Sequence, residues 1–125
     1  MSSKQFEPTG WHYLLELYEC SPARIDELDF VLNCLHQAAG LAKATVIDSI
    51  HHQFRPTGIT AVALLKESHL SIHCWPEAGY AAVDLFSCGK DGEPQKACEF
   101  LIEEFGCSRH QLQVIKRGLA HDADA

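Results

Sequence analysis

Nowhere in the chain does an apolar run extend far enough to span a bilayer, and residues 1–10 lack the apolar segment of a secretion signal. These absences leave no candidate for a membrane-spanning helix, and they predict a cytoplasmic protein. No basic cluster occurs either: 10 Lys and Arg stand against 17 Asp and Glu, a formal charge of −7. That balance argues against nucleic acid or an anionic membrane as partner and suits a cationic small molecule. The six cysteines show none of the paired spacings of a zinc site, and without a secretory signal they read as reduced thiols rather than a disulfide framework. His69, His73, Cys74 and Cys88 are the residues a metal site would need, but His73 and Cys74 are adjacent and point to opposite faces of a strand. No metal is expected. Linkers, low-complexity tracts and clear repeats are missing too, and 125 residues at 46% hydrophobic content suit one compact domain, residues 1–125. A domain this small buries a limited share of its surface, so a second copy is a natural source of stability and of a ligand-sized cleft.

Two helical patterns are present. Ser21-Pro22 reads as an N-cap with proline at the first helical position, after which Ile25, Leu28, Leu32, Leu35 and Ala39 recur at helical spacing until Gly40. The second pattern starts near Glu93-Pro94 and carries Ala97, Phe100, Leu101 and Phe105 to a stop at Gly106. Six runs rich in β-branched or aromatic residues read as strands: 11–20, 44–54, 59–66, 69–75, 80–88 and 111–116. The middle four are joined by short turns such as Arg55-Pro56-Thr57-Gly58 and Pro76-Glu77-Ala78-Gly79. The pattern predicts an α+β fold, a two-layer sandwich of an antiparallel sheet with two α-helices on one face.

Chemistry concentrates in one predicted hairpin, which reads Lys66-Glu67-Ser68-His69-Leu70-Ser71-Ile72-His73-Cys74-Trp75 and returns from Tyr80 to Cys88. With residues 76–79 as the turn, Trp75 faces Tyr80, Ser68 falls opposite Ser87, and Cys88 falls opposite Glu67, beside the Glu67-Ser68 bond. A thiol there can serve as a proton donor if its surroundings tune it. His73 is differently placed. Five residues of extended chain is roughly 16 Å, and the odd spacing sends the Ser68 and His73 side chains to opposite faces. If the two cooperate, a partner subunit supplies one of them, and a two-fold homodimer then holds two equivalent composite sites.

At these residues the chain resembles the prokaryotic S-adenosylmethionine decarboxylase proenzymes, a pyruvoyl-dependent family. The likeness runs from Gly10-Trp11-His12 and Leu15-Glu16-Leu17-Tyr18 through the hairpin to Lys116-Arg117-Gly118. Its core is 67–73, then Trp75-Pro76-Glu77 and 79–84. The resemblance implies autocatalytic serinolysis: Ser68 Oγ attacks the carbonyl of Glu67 to give an ester, and β-elimination and hydrolysis leave a pyruvoyl group at position 68. Chains 1–67 and 68–125 result. His73 matches the family's processing base, Thr60 stands where the family carries an assisting serine, and Cys88 matches the proton donor of turnover.

Decarboxylation leaves an electron pair on Cα, and no ordinary side chain can accept it. In this family the self-made pyruvoyl ketone does so through a Schiff base with the substrate amine, so no separate cofactor is called for. Phe54 and Trp75 match the rings that stack on adenine, and Glu77 matches the carboxylate that binds the ribose hydroxyls. Glu16 is a weaker candidate, facing the substrate's positive charge. His12, His51, His52 and His69 read as structural or exposed. The product would be decarboxylated S-adenosylmethionine, destined for spermidine and polyamine synthesis. Ala78, where tyrosine is usual, and Trp11, where a basic residue is typical, depart from the pattern. They keep ornithine or arginine open as alternative substrates. A degenerate, unprocessed regulatory homologue and a nucleoside-binding dimer without chemistry are the other readings, and intact Ser68, His73 and Cys88 favour the enzyme.

Overall fold

The computed structural model describes residues 9–66, 68–88 and 92–119. Six strands, β1 (Thr9–Tyr18), β2 (Val46–Gln53), β3 (Ile59–Leu65), β4 (Ser68–Trp75), β5 (Tyr80–Cys88) and β6 (Arg109–Gly118), form one antiparallel sheet in the order β2-β3-β4-β5-β1-β6. Two helices, α1 (Leu28–Leu41) and α2 (Pro94–Glu104), cover one face; α1 lies over β3 and β4, and α2 packs on α1 and β1. This is the expected two-layer α+β sandwich.

Strand alternation decides which side chains enter the core. Leu15 and Leu17 of β1, Ile59, Ala61, Ala63 and Leu65 of β3, Leu70, Ile72 and Cys74 of β4, and Ala81, Val83 and Leu85 of β5 are all buried beneath the helices. The helices answer with Val31, Cys34, Leu35, Ala38 and Ala39 from α1 and Ala97, Cys98 and Leu101 from α2. Small residues on β3, Ala61 and Ala63, let α1 approach the sheet closely, while each buried leucine or isoleucine contributes about 1.5–3 kcal/mol. On the other face, alternate residues of the same strands (Glu16, Thr60, His69, His73, Trp75, Tyr80, Asp84, Phe86 and Cys88) have no helix above them.

The β4–β5 register is the expected one, from Trp75 opposite Tyr80 to His69 opposite Phe86. Glu67 lies outside the described residues. Cys88 pairs with Gly10 of β1, where an added Cβ would stand 2.7 Å from the Ser87 carbonyl oxygen and 2.9 Å from the Phe86 ring. Only glycine fits there without displacing backbone.

The first helix departs from expectation at both ends. Ser21-Pro22 does not cap it: a 3-10 turn, Arg24–Asp26, comes first, and Glu27 breaks the chain with extended dihedrals (φ −98°, ψ 111°) before α1 begins. Ile25 and Val31 are both 0% exposed, yet six residues apart on a single helix they would point about 120° away from each other. The break lets both reach the core. At the far end α1 runs through Gly40 to Leu41, and Lys43 (φ 62°) supplies the left-handed turn after Ala42 has been carried into the core. The second helix matches its prediction, with Glu93 at the N-cap position, Pro94 in the first turn and Gly106 at φ 63°. Among the described residues no helix is long and apolar enough to cross a membrane.

Candidate functional site

Both short turns flagged in the sequence, 55–58 between β2 and β3 and 76–79 between β4 and β5, lie at the same end of the sheet. A cavity of about 320 Å³ opens between them, with Phe54, Thr60, His73, Trp75 and Glu77 in its lining. Five of the sequence's candidate residues thus come together from two turns and two strands. Pro76 and Gly79 explain the second turn locally: proline starts a 3-10 turn over Pro76–Ala78, and Gly79 closes it at φ 61° with its N–H on the Pro76 carbonyl, 3.0 Å. Ala78 is exposed there.

The side chains combine polar groups with exposed aromatic rings. Phe54 is 47% and Trp75 44% exposed, unusual for rings that size in so small a domain. Trp75 stacks on Tyr80 (5.4 Å between centroids) and on His73 (6.1 Å), and Tyr80 stacks in turn on Tyr18 (5.6 Å), over which the Arg109 guanidinium sits at 4.1 Å. His52 meets the Phe54 ring edge-on at 4.5 Å. Thr57 donates its hydroxyl hydrogen to Glu77 Oε1 at 3.0 Å, fixing one carboxylate oxygen and leaving the other for a ligand.

Thr60 and His73 face each other across β3 and β4, and Thr60 Oγ1 lies 3.2 Å from His73 Nδ1. The hydroxyl can pair with either tautomer of the imidazole. If Nδ1–H donates to Thr60, the Nε2 lone pair is left to take a proton; the reverse tautomer makes Nε2 a donor.

Ser68 and Cys88 occupy the opposite end of the sheet. Ser68 starts β4 and pairs with Leu65, while Cys88 ends β5. Ser68 Oγ is buried and has no hydrogen-bond partner among the described residues; His12 Nε2 is the other such atom. A buried hydroxyl without a partner costs about 1–3 kcal/mol. His12 sits in one cross-strand row with Phe86 and His69, its ring 6.0 and 6.1 Å from theirs. That clustering was not legible in the sequence, which left both histidines without a role. Ser68 and His73 stand five residues apart on one straight strand, so a single chain does not bring them together. Glu16 lies outside the cavity and accepts a hydrogen bond from the Tyr80 hydroxyl. Burial, and then that bond to Glu16, push the Tyr80 hydroxyl well above its ordinary pKa.

Cys20, Cys34, Cys74 and Cys98 are buried, and Cys107 is half-buried. None of the six is in a disulfide. Burial, reinforced by neighbouring acidic groups, pushes Cys74 up to about 12, and burial likewise raises Cys34 to about 12 and Cys20 and Cys98 to about 11. Among the described residues no three His, Cys, Asp or Glu side chains converge as metal ligands.

Fold and cavity define a small α+β protein with an aromatic, carboxylate-edged cavity at one end of its sheet and, at the other, a buried serine hydroxyl that has no partner among the described residues. The S-adenosylmethionine decarboxylase family model matches residues 11–118, and the chain belongs to that family. It is 49% identical over 108 residues to an S-adenosylmethionine decarboxylase proenzyme of Parasynechococcus marenigrum, covering 86% of this chain and 84% of that protein. It is also 37% identical over 120 residues to one of Thermococcus gammatolerans, covering 96% and 84%. The solved adenosylmethionine decarboxylase of Aquifex aeolicus superposes with a TM-score of 0.83 at 36% identity, over 90% of this chain and 93% of that one.

Proposed function

We propose that this chain is an S-adenosylmethionine decarboxylase that cuts itself between Glu67 and Ser68 and decarboxylates its substrate with the pyruvoyl group so formed. Family membership carries the reaction and its substrate. The observation that carries the mechanism is the orphaned Ser68 Oγ, buried at the first residue of β4 on the C-terminal side of the bond to be cut. Its hydroxyl has no competing partner among the described residues, so it is available to attack the Glu67 carbonyl.

A ketone at position 68 supplies the electron sink that loss of carbon dioxide requires. Every other task falls to side chains of the chain. Phe54 and Trp75 stack on the adenine, Glu77 accepts hydrogen bonds from the ribose hydroxyls, and Thr57 orients Glu77 for them. His73, held by its hydrogen bond with Thr60, removes the Ser68 α-proton during cleavage. Cys88, on the open face at the Ser68 end, returns a proton to the substrate Cα.

Separation of the two halves supports a homodimer. The nucleoside cavity with His73 lies at one end of β4 and Ser68 at the other, roughly 16–23 Å away along the strand. A two-fold copy laid against the uncovered sheet face would bring Cys88 and the backbone at the start of β4 of one protomer to the cavity of its partner, giving two composite sites.

Release of carbon dioxide from carboxyl-labelled S-adenosylmethionine, ornithine and arginine tests the function. Turnover of S-adenosylmethionine alone is expected; preference for either amino acid would refute the substrate assignment. Coexpressed Ser68→Ala and His73→Ala chains test the composite sites. Activity regained in the mixture supports them, and its absence when mixed dimers are demonstrated contradicts them.

A further inference from the structure

Phe54 presents a problem of support. It follows β2, an edge strand whose last four residues are exposed, and the link 54–58 that carries it is itself exposed from Phe54 through Pro56. Its one ring contact among the described residues, the edge of His52, comes from the same exposed strand, so packing alone does little to hold the ring in place. Hydrogen bonds do more: Phe54 N–H closes the link on the Gly58 carbonyl at 2.8 Å, Gly58 N–H donates to Asp26 Oδ1 at 3.1 Å, and Gln53 Nε2–H donates to the Asp26 carbonyl at 3.2 Å. The two bonds that tie the ends of this link to another element both end on Asp26.

Asp26 is well suited to bear that load. It closes the 3-10 turn Arg24–Asp26, which is anchored by the fully buried Ile25 beside it. Gly58 needs the tie, because its φ of 114° belongs to the region only glycine adopts comfortably. A carboxylate oxygen on its N–H selects that conformation over the many others glycine allows. We propose that Asp26 is a positioning residue for the nucleoside end of the site: its carboxylate fixes the 54–58 link, and through it the Phe54 ring and the Thr57 hydroxyl that orients Glu77. The inference rests on the reading of this cavity as the nucleoside pocket.

Asp26 touches no reacting atom, so its loss acts on binding. In Asp26→Ala the KM for S-adenosylmethionine rises about tenfold while kcat stays within about twofold, and the Ki of adenosine as a competitor rises in step with KM. Asp26→Asn, whose amide oxygen accepts the same hydrogen bond, returns KM to within about threefold of wild type. Amide exchange at Gly58 quickens in Asp26→Ala and stays slow at Ile72. An unchanged KM in Asp26→Ala overturns the inference, as does an Asp26→Asn variant no better than alanine, or a parallel loss of kcat, self-cleavage and exchange protection throughout β4. Trp75→Ala, measured alongside, separates this from failure of the pocket reading. A raised KM there with none in Asp26→Ala removes only the role of Asp26, whereas an unchanged KM in Trp75→Ala removes both.

Discussion

Replacing Phe54 by alanine deletes one wall of the cavity while leaving the core untouched. An aromatic side chain offers about 200 Å² of surface, and with 47% of Phe54 exposed roughly 100 Å² is available to a stacked base. At about 25 cal/mol per Å² that contact is worth roughly 2.5 kcal/mol, close to the range of about 1–3 kcal/mol for a base stacked on an aromatic ring. A value near 2 kcal/mol converts to a KM about 30-fold higher. The ring is far from Ser68 of its own chain and touches the adenine rather than a reacting atom, so self-cleavage and kcat change little, and Tm falls by less than about 4 °C. Carbon dioxide release over a range of S-adenosylmethionine concentrations, with a thermal melt of the same sample, measures all three. A KM within twofold of wild type would refute the stacking role, and a collapse in Tm would show that Phe54 is core.

Thr60→Val keeps the shape and deletes the hydroxyl on His73 Nδ1; cleavage of newly made chain, followed on denaturing gels, slows by about tenfold or more, and Thr60→Ser restores it. Cys88→Ala lowers kcat by about 10²–10⁴ yet still cleaves; the opposite ranking would show the thiol to be misassigned. Cys20, Cys34, Cys74 and Cys98, raised to about 11 or 12, carry so little thiolate at pH 8 that iodoacetamide leaves them unlabelled in native protein, as peptide mass mapping will show. Their neutral form is favoured only when folded, so above the ordinary thiol value near 9 the unfolded chain loses protons first and stability declines. Urea midpoints that rise between pH 9 and 10.5 would contradict this.

Alternation and turn residues made the sheet legible before any coordinates. Trp75-Pro76 and Gly79-Tyr80 announced the β4–β5 turn, and its length alone set the register; likewise the five candidates of the cavity could be named because they resemble a known family's motif. The start of helix α1 differs from the spacing's prediction because helical spacing admits Ile25 to the pattern and carries no sign that Ile25 and Val31 must both be buried. Gly40 looked like a stop because glycine favours left-handed turns, yet burial of Ala42 carried the helix past it and Lys43 took the strained position instead. The support of Phe54 by Asp26 had no signal at all: Asp26 and Gly58 are 32 residues apart, in neither periodic nor motif relation, and only the folded chain brings a carboxylate to that amide. His12 and His69 were hidden for the same reason, being joined by the row that also holds Phe86.

The mass of the purified protein tests the central claim most directly. Self-cutting before Ser68 predicts two polypeptides, residues 1–67 and 68–125, the second opening on a keto-acyl group that blocks stepwise sequencing, and Ser68→Ala leaves one intact, inactive chain. A fully active preparation in which every molecule retains its full-length backbone and an unmodified serine would contradict it.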